Sequence, residues 1–155
     1  MMTDLASAVI TALQGKTLAV AESCTGGMIG AALTGVPGSS AVFRGGIISY
    51  TNEVKHNQLG VPVEMLCTYG AVSAPVSEAM AHGVRQVIQA DVAVSVTGLA
   101  GPTGDEYGNP VGTVFIGYSD RETCLSREYH FSGDREAVRR QSVYAALMLI
   151  LEQNR

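Results

Sequence analysis

The stretch AESCTGG, residues 21–27, sets two nucleophile types side by side, Ser23 and Cys24, where an apolar run ends and a glycine pair begins. With the run as a strand and the glycines opening a helix, the Ser23 hydroxyl stands among free backbone N–H groups at the positive end of a helix dipole. An acyl-transfer nucleophile needs those surroundings. A capping serine in a tight or phosphate-cradling turn fits the same local pattern. Cys24 is the better intrinsic nucleophile, but a catalytic thiolate needs an activating partner, and His56, His82 and His130 stand at no spacing that marks one out. Cys24 is therefore expected to be a small buried thiol.

The same lack of a recognisable histidine, with no G-x-S-x-G elbow, argues against a Ser-His-Asp triad, so a serine nucleophile here requires another base. Tyr50 closes a strand, and Lys55 falls in the first turn of the helix that follows, about its third position if Asn52 is the cap. An ammonium there opposes the helix dipole, and partial burial adds to that effect. Both lower the lysine pKa toward the range of a general base. The plain alternative is a solvated lysine beside a rim tyrosine.

Other stretches bear on ligands. VTGLAGPTGD puts Thr97, Gly98 and Gly101 at a sheet edge, in a long glycine-rich loop where backbone can approach a ligand closely. Arg135 and Arg139 lie one helical turn apart and could hold an anion or simply pair with surface acids. Gly15-Lys16-Thr17 ends like a Walker A motif, but Ile10 replaces its first glycine and the segment enters a strand, so it is no phosphate loop. Tyr50 and Lys55 are one residue too far apart for the Tyr-Lys pair of short-chain dehydrogenases, and no G-x-G-x-x-G follows the first strand. Nicotinamide-cofactor redox fits poorly.

The elements that must position these residues follow from periodicity. Residues 2–14 carry Leu5, Ala8, Val9, Ala12 and Leu13 at helical spacing, and Gly15 stops that helix. A buried strand over 17–22, a small-residue helix over 26–36, a Pro37-Gly38 turn, a strand from about 42 to 50 and a helix from Thr51-Asn52 come next. From Pro75, the residues Val76, Ala79, Met80, Gly83, Val87 and Ile88 share one helix face. A buried strand over 91–98 leads into the loop 98–110. Strands 111–119 and 123–131 form an antiparallel hairpin, and a closing helix from Asp134 buries Val138, Ser142, Ala145, Ala146, Leu149 and Ile150. This order implies a three-layer α/β/α sandwich with a mixed sheet.

Length and composition bound the function. The 155 residues, 46% hydrophobic and 15% charged, suit one globular domain over 1–155 with a large aliphatic core. A net charge of −4 with no basic cluster beyond Arg139-Arg140 argues against a nucleic-acid partner. The N-terminal segment has neither a positive n-region nor a continuous apolar run, so the expectation is a cytoplasmic protein without membrane association. Three cysteines with no CxxC pair argue against a disulfide framework and a zinc cage, leaving no metal or cofactor expected.

AESCTGG, VPGSSAVFRGGIISYTNEVK, YGAVS, VTGLAGPTG, PVGTVFIG and SGDREAVRRQSV, in this order and over nearly the whole chain, resemble the C-terminal domain of the competence/damage-inducible protein CinA in its stand-alone form. That resemblance implies a metal-free serine amidohydrolase converting nicotinamide mononucleotide to nicotinic acid mononucleotide and ammonia, and a homo-oligomer. A nucleotide-binding module without turnover is the alternative. By resemblance Ser23 is the nucleophile, Lys55 takes its proton and Tyr50 assists. Backbone N–H groups of Thr25, Gly26 and Gly27 are inferred to stabilise the oxyanion, and Ser39, Ser40, Arg139 and the loop N–H groups are expected at the substrate phosphate. The family's larger members carry an additional N-terminal domain resembling molybdopterin-biosynthesis proteins, for which this chain is too short. The segment MLCTY before GAVS departs from the family pattern without touching a catalytic position.

Overall fold

Strand β1 (Leu18–Glu22) is buried along its whole length and sits inside a five-stranded sheet, flanked by β2 (Phe43–Ile48) and β3 (Val92–Gly98). The computed structural model describes residues 1–155. Both neighbours of β1 run parallel to it, while β4 (Thr113–Ser119) and β5 (Cys124–His130) extend the sheet antiparallel, in the order β2-β1-β3-β4-β5. The sheet is mixed, and the predicted α/β/α layering is what forms.

Side-chain alternation along the strands divides the core in two. Leu18 and Val20 join Val92, Val94 and Val96 in a cluster with α1 (Met2–Ala12), α2 (Met28–Thr34) and α6 (Arg135–Gln153). Ala19, Ala21 and Ala93 face the other way, against α3 (Asn52–Leu59), α4 (Val63–Tyr69) and α5 (Ala74–Ile88). The second face is lined by small residues, so α5 lies close to the sheet. A Cβ on Gly117 would sit 2.2 Å from the Ser77 carbonyl oxygen.

Two sequence expectations shift, and one helix was not foreseen. In α1 the buried stripe is Leu5, Ala6, Val9 and Ile10, followed by Leu13, and Ala12 is exposed because the helix meets α2 and α6 together. In α5 the buried face runs through Val76, Ser77, Met80, Ala81 and Val84, which turns Val87 to solvent. Helix α4, which no clear periodicity marks, carries the MLCTY segment and tucks Leu66 into the second cluster. No helix is long and apolar enough to cross a membrane.

After β1 the chain crosses to β2 on one side and then returns to β3 on the other, so the order reverses between β1 and β3. In open α/β sheets, ligands bind in the crevice beyond the carboxyl ends of strands at such a switch point. Ser23 and the residues after Gly98 lie at that place.

Candidate active site

Strand parity decides between Ser23 and Cys24. Glu22 follows Leu18 and Val20 and points toward α2, whereas Ser23 follows Ala19 and Ala21 and points toward α3, where Lys55 is. Cys24 is back on the first face and packs in the larger apolar cluster. Burial pushes its thiol pKa up to about 11, despite the opposing positive charges of Arg139 and Lys55. A thiol so raised is protonated at neutral pH and a poor nucleophile.

The cap of helix α3 is Thr51 rather than Asn52. The Thr51 hydroxyl accepts from the Val54 N–H at 3.3 Å, which puts Lys55 at the fourth helical position, one later than expected. From there its side chain turns inward and is only 1% exposed. Lys55 Nζ donates to the Ser49 carbonyl at 2.9 Å and the Tyr50 carbonyl at 3.4 Å, and stands 3.1 Å from Ser23 Oγ. No carboxylate pairs with it. Burial lowers its pKa from 10.5 to about 8. As a neutral amine it still donates two N–H bonds to the two carbonyls, which leaves the nitrogen lone pair for the Ser23 O–H. The pair can therefore generate an alkoxide-like nucleophile without a histidine.

Ser23 itself is 7% exposed and held by its N–H, which donates to the Val96 carbonyl at 3.0 Å. The turn that follows needs positive φ at Gly26 (57°) and Gly27 (106°), a conformation only glycine adopts without strain. Glu22, which the sequence reading did not single out, organises that turn. Its buried carboxylate accepts from the N–H groups of Gly27 (3.2 Å), Ile29 (2.9 Å) and Gly30 (3.0 Å) at the start of α2. An acid five to eight residues before a helix's first free N–H groups is the signal that could have found it.

These contacts sort the expected oxyanion donors. The Gly27 N–H is engaged by Glu22, and the Gly26 N–H by the Ser23 carbonyl at 3.0 Å. The N–H groups of Cys24 and Thr25 have no partner within the chain. The Thr25 side chain is fully buried and its hydroxyl also lacks a partner.

Ser23, Tyr50, Lys55, Thr97, Gly98 and Gly101 all line one cleft of about 340 Å³, along with Asn52, Thr103 and Arg135. Tyr50 is 58% exposed at the rim, and its hydroxyl accepts from Arg135 Nη2 at 3.1 Å, so only its carbonyl touches Lys55. Thr97 turns its hydroxyl to the Ala71 carbonyl at 2.9 Å, tying β3 to the segment before α5. Gly101 has φ 103°, and its carbonyl accepts from Arg135 Nη1 at 2.7 Å. The N–H groups of Gly101, Thr103 and Gly104 make no bond within the chain and border the cleft.

Three expected substrate contacts do not reach that cleft. Ser39 and Ser40 sit in a 3-10 turn just before β2, and β2 begins opposite Leu18, at the start of β1. In parallel strands that is the far end of the sheet from Ser23. Ser39 is buried there, and Ser40 is exposed. Arg139 lies beside the cleft but turns its guanidinium to the backbone, with Nε donating to the Cys24 carbonyl at 2.9 Å and Nη2 to the Thr25 carbonyl at 3.4 Å. It lines an adjoining depression with Met28, Asp134, Arg135 and Glu136.

Comparison with known proteins shows the family and the fold. The family model described as the CinA C-terminal domain matches residues 2–154. The chain belongs to the CinA family. A CinA-like protein of Geobacter sulfurreducens is 48% identical over 144 residues, covering 93% of this chain but 35% of that protein. This chain thus spans about a third of the length of such relatives. The crystal structure of the competence/damage inducible protein CihA from Agrobacterium tumefaciens superposes with a TM-score of 0.95 at 40% identity, covering 99% of this chain and 96% of that one. A CinA superfamily protein from Escherichia coli gives a TM-score of 0.96 at 34% identity, covering 99% and 90%.

Proposed function

We propose that this CinA-family chain is a serine amidohydrolase that releases ammonia from the carboxamide of nicotinamide mononucleotide. The observation that carries the reading is the 3.1 Å contact between Ser23 Oγ and a buried Lys55 amine that has no acidic partner. A lysine whose pKa burial lowers to about 8, one hydrogen bond from a serine at a crevice, is a nucleophile with its base.

In the reaction, Ser23 Oγ attacks the carboxamide carbon while Lys55 accepts the hydroxyl proton. The tetrahedral oxyanion forms beside the unpaired N–H groups of Cys24 and Thr25. Protonated Lys55 returns the proton to the departing nitrogen, ammonia leaves, and an ester on Ser23 remains. Water, deprotonated by Lys55, then cleaves the ester to the pyridine carboxylate and restores the hydroxyl.

Arg135 and the unpaired N–H groups of the 101–104 segment supply the anion recognition a nucleotide requires. Arg135 takes over the phosphate role expected of Arg139, Ser39 and Ser40, and Tyr50 orients it through the hydroxyl contact. The test is ammonia release from nicotinamide mononucleotide, with the riboside and free nicotinamide alongside. The mononucleotide is expected to be much the best substrate. Equal kcat/KM for riboside and mononucleotide would remove the phosphate site, and no ammonia from any of the three would overturn the reaction.

A further inference from the structure

We propose that Arg139 is a positioning residue that builds the oxyanion site by fixing the peptide plane between Cys24 and Thr25. The proposal rests on the amidohydrolase reading and says which group prepares its transition-state contact.

A trans peptide holds its C=O and N–H in one plane, pointing in opposite directions. Arg139 Nε takes the Cys24 carbonyl at 2.9 Å, so the Thr25 N–H of that same peptide is turned the other way and has no partner. The next peptide is held by Arg139 Nη2 and the Met28 N–H at the Thr25 carbonyl (3.4 and 3.0 Å), while its own N–H, on Gly26, returns to the Ser23 carbonyl. Glu22 occupies the N–H groups at the start of α2, so those donors are not free for an oxyanion. The turn is thus fixed from two sides, by a carboxylate on its N–H groups and a guanidinium on its carbonyls. The N–H groups of Cys24 and Thr25, directly after the nucleophile, are what it leaves without a partner, with Cys24 in the cleft lining and Thr25 fully buried next to it in the chain.

The fork of donors on one planar group suits this task, since two successive carbonyls are held at once. Arg139 comes from α6, on the opposite side of the turn from Lys55, and a Cβ on Gly26 would come within 3.4 Å of Nη2. Arg139 acts through the backbone and not on the substrate, which separates it from Arg135 in the cleft wall.

The experiment measures kcat and KM for ammonia release from the mononucleotide and the riboside in the unmodified chain, Arg139→Ala and Arg139→Lys. It also follows, by intact mass, labelling of Ser23 with a fluorophosphonate. That reaction forms a Ser23 O–P bond, breaks P–F, passes the hydroxyl proton to Lys55 and places the phosphoryl oxygen where the oxyanion would lie. Loss of an aligned oxyanion donor costs about 10²-fold or more in kcat. Arg139→Ala is expected to lose that factor equally on both substrates with KM little changed, to label more slowly, and to regain part of the rate in Arg139→Lys. Arg139→Met keeps the aliphatic stem and carries the same expectation should the alanine variant melt below the assay temperature. Unchanged kcat and labelling in the alanine or methionine variant would overturn the proposal, as would a loss confined to KM for the mononucleotide, the behaviour of a phosphate ligand. Neither ammonia nor labelling in the unmodified chain would instead overturn the Ser23 reading itself, and this proposal with it.

Discussion

The two ends of the sheet carry depressions of similar size and opposite character. At the end where β1 starts, a hollow of about 440 Å³ is lined by Lys16, Asp91, Asp120, Arg121 and Glu122, and its buried polar atoms are satisfied. Asp91 accepts from the Thr17 N–H at 2.8 Å and the Thr17 hydroxyl at 3.1 Å, which holds its carboxyl below the usual range. Burial would raise Asp120, but bonds from the Tyr118 hydroxyl (2.7 Å) and from the N–H groups of Glu122 and Thr123 outweigh it and hold it low. At the other end the cleft is smaller, yet it contains a buried lysine without a counter-charge and backbone N–H groups without acceptors. Volume does not distinguish the two ends. Unsatisfied polar groups do, because a group whose bonding is complete has nothing left to offer a substrate.

The sharpest way to break this contrast is Ser23→Ala, which is expected to abolish ammonia release while circular dichroism and melting stay near those of the parent. Full activity would remove Ser23 from the chemistry. Next in size is Lys55→Met, expected to lower kcat by at least ~10²-fold. Its stability carries a second signature. The folded-state pKa is about 8 against 10.5 for an ordinary lysine, so between those values the folded chain has released a proton that the unfolded chain still holds. Stability of the parent therefore rises with pH across that window. Below it, the buried ammonium costs on the order of 3 kcal/mol, from which two orphaned carbonyls in the methionine variant subtract about 1 kcal/mol each. Lys55→Met is expected to melt above the parent at pH 7 and to lose that margin between pH 8 and 10.5. A margin that is constant with pH would mean the fold does not lower the Lys55 pKa.

Arg135→Ala follows. Losing one charge-assisted bond is worth about 1.5–3 kcal/mol, so kcat/KM for the mononucleotide is expected to fall roughly 10- to 150-fold, mainly through KM, with the riboside spared. An equal loss on both substrates would assign Arg135 to Tyr50 and the loop instead of to the phosphate. At the opposite end, Asp120→Ala is expected to lose about 1–3 kcal/mol of stability with kcat unchanged, since its bonds serve the β4–β5 turn and Tyr118 alone. A loss of turnover without loss of stability there would erase the distinction between the two ends. Cys24→Ala has the smallest expected effect, a packing loss with most turnover retained, as the raised thiol requires.

Much of this was readable before the fold. The continuous apolar runs TLAVAE and DVAVSVTG have few alternatives to buried parallel strands, and Gly26-Gly27 with Pro75 punctuate their helices, so the layers follow from local pattern. The choice of Ser23 over Cys24 was also within reach. Counting by twos from Ala19 and Ala21 places the serine on the α3 face, where the next helix delivers Lys55. What the pattern hid depends on tertiary placement. Ser39 and Ser40 look like anion ligands by type, and only the parallel register of β2 with β1 sends them to the far end. Arg135 and Arg139 are one turn apart on α6, yet the first faces the cleft and the second the nucleophile turn, a difference set by how α6 rests on the sheet. Helix α4 escaped because its seven residues bury only Leu66, too little for a periodic signal.

Activation of Ser23 by the deprotonated amine of Lys55 is read out in the pH dependence of kcat/KM for ammonia release from nicotinamide mononucleotide. Only the deprotonated amine can accept the hydroxyl proton, so kcat/KM is expected to climb about tenfold per pH unit below the Lys55 pKa and to level off above about 8. A profile that is flat from pH 6 to 9, or one whose rising limb survives unchanged in Lys55→Met, would contradict it.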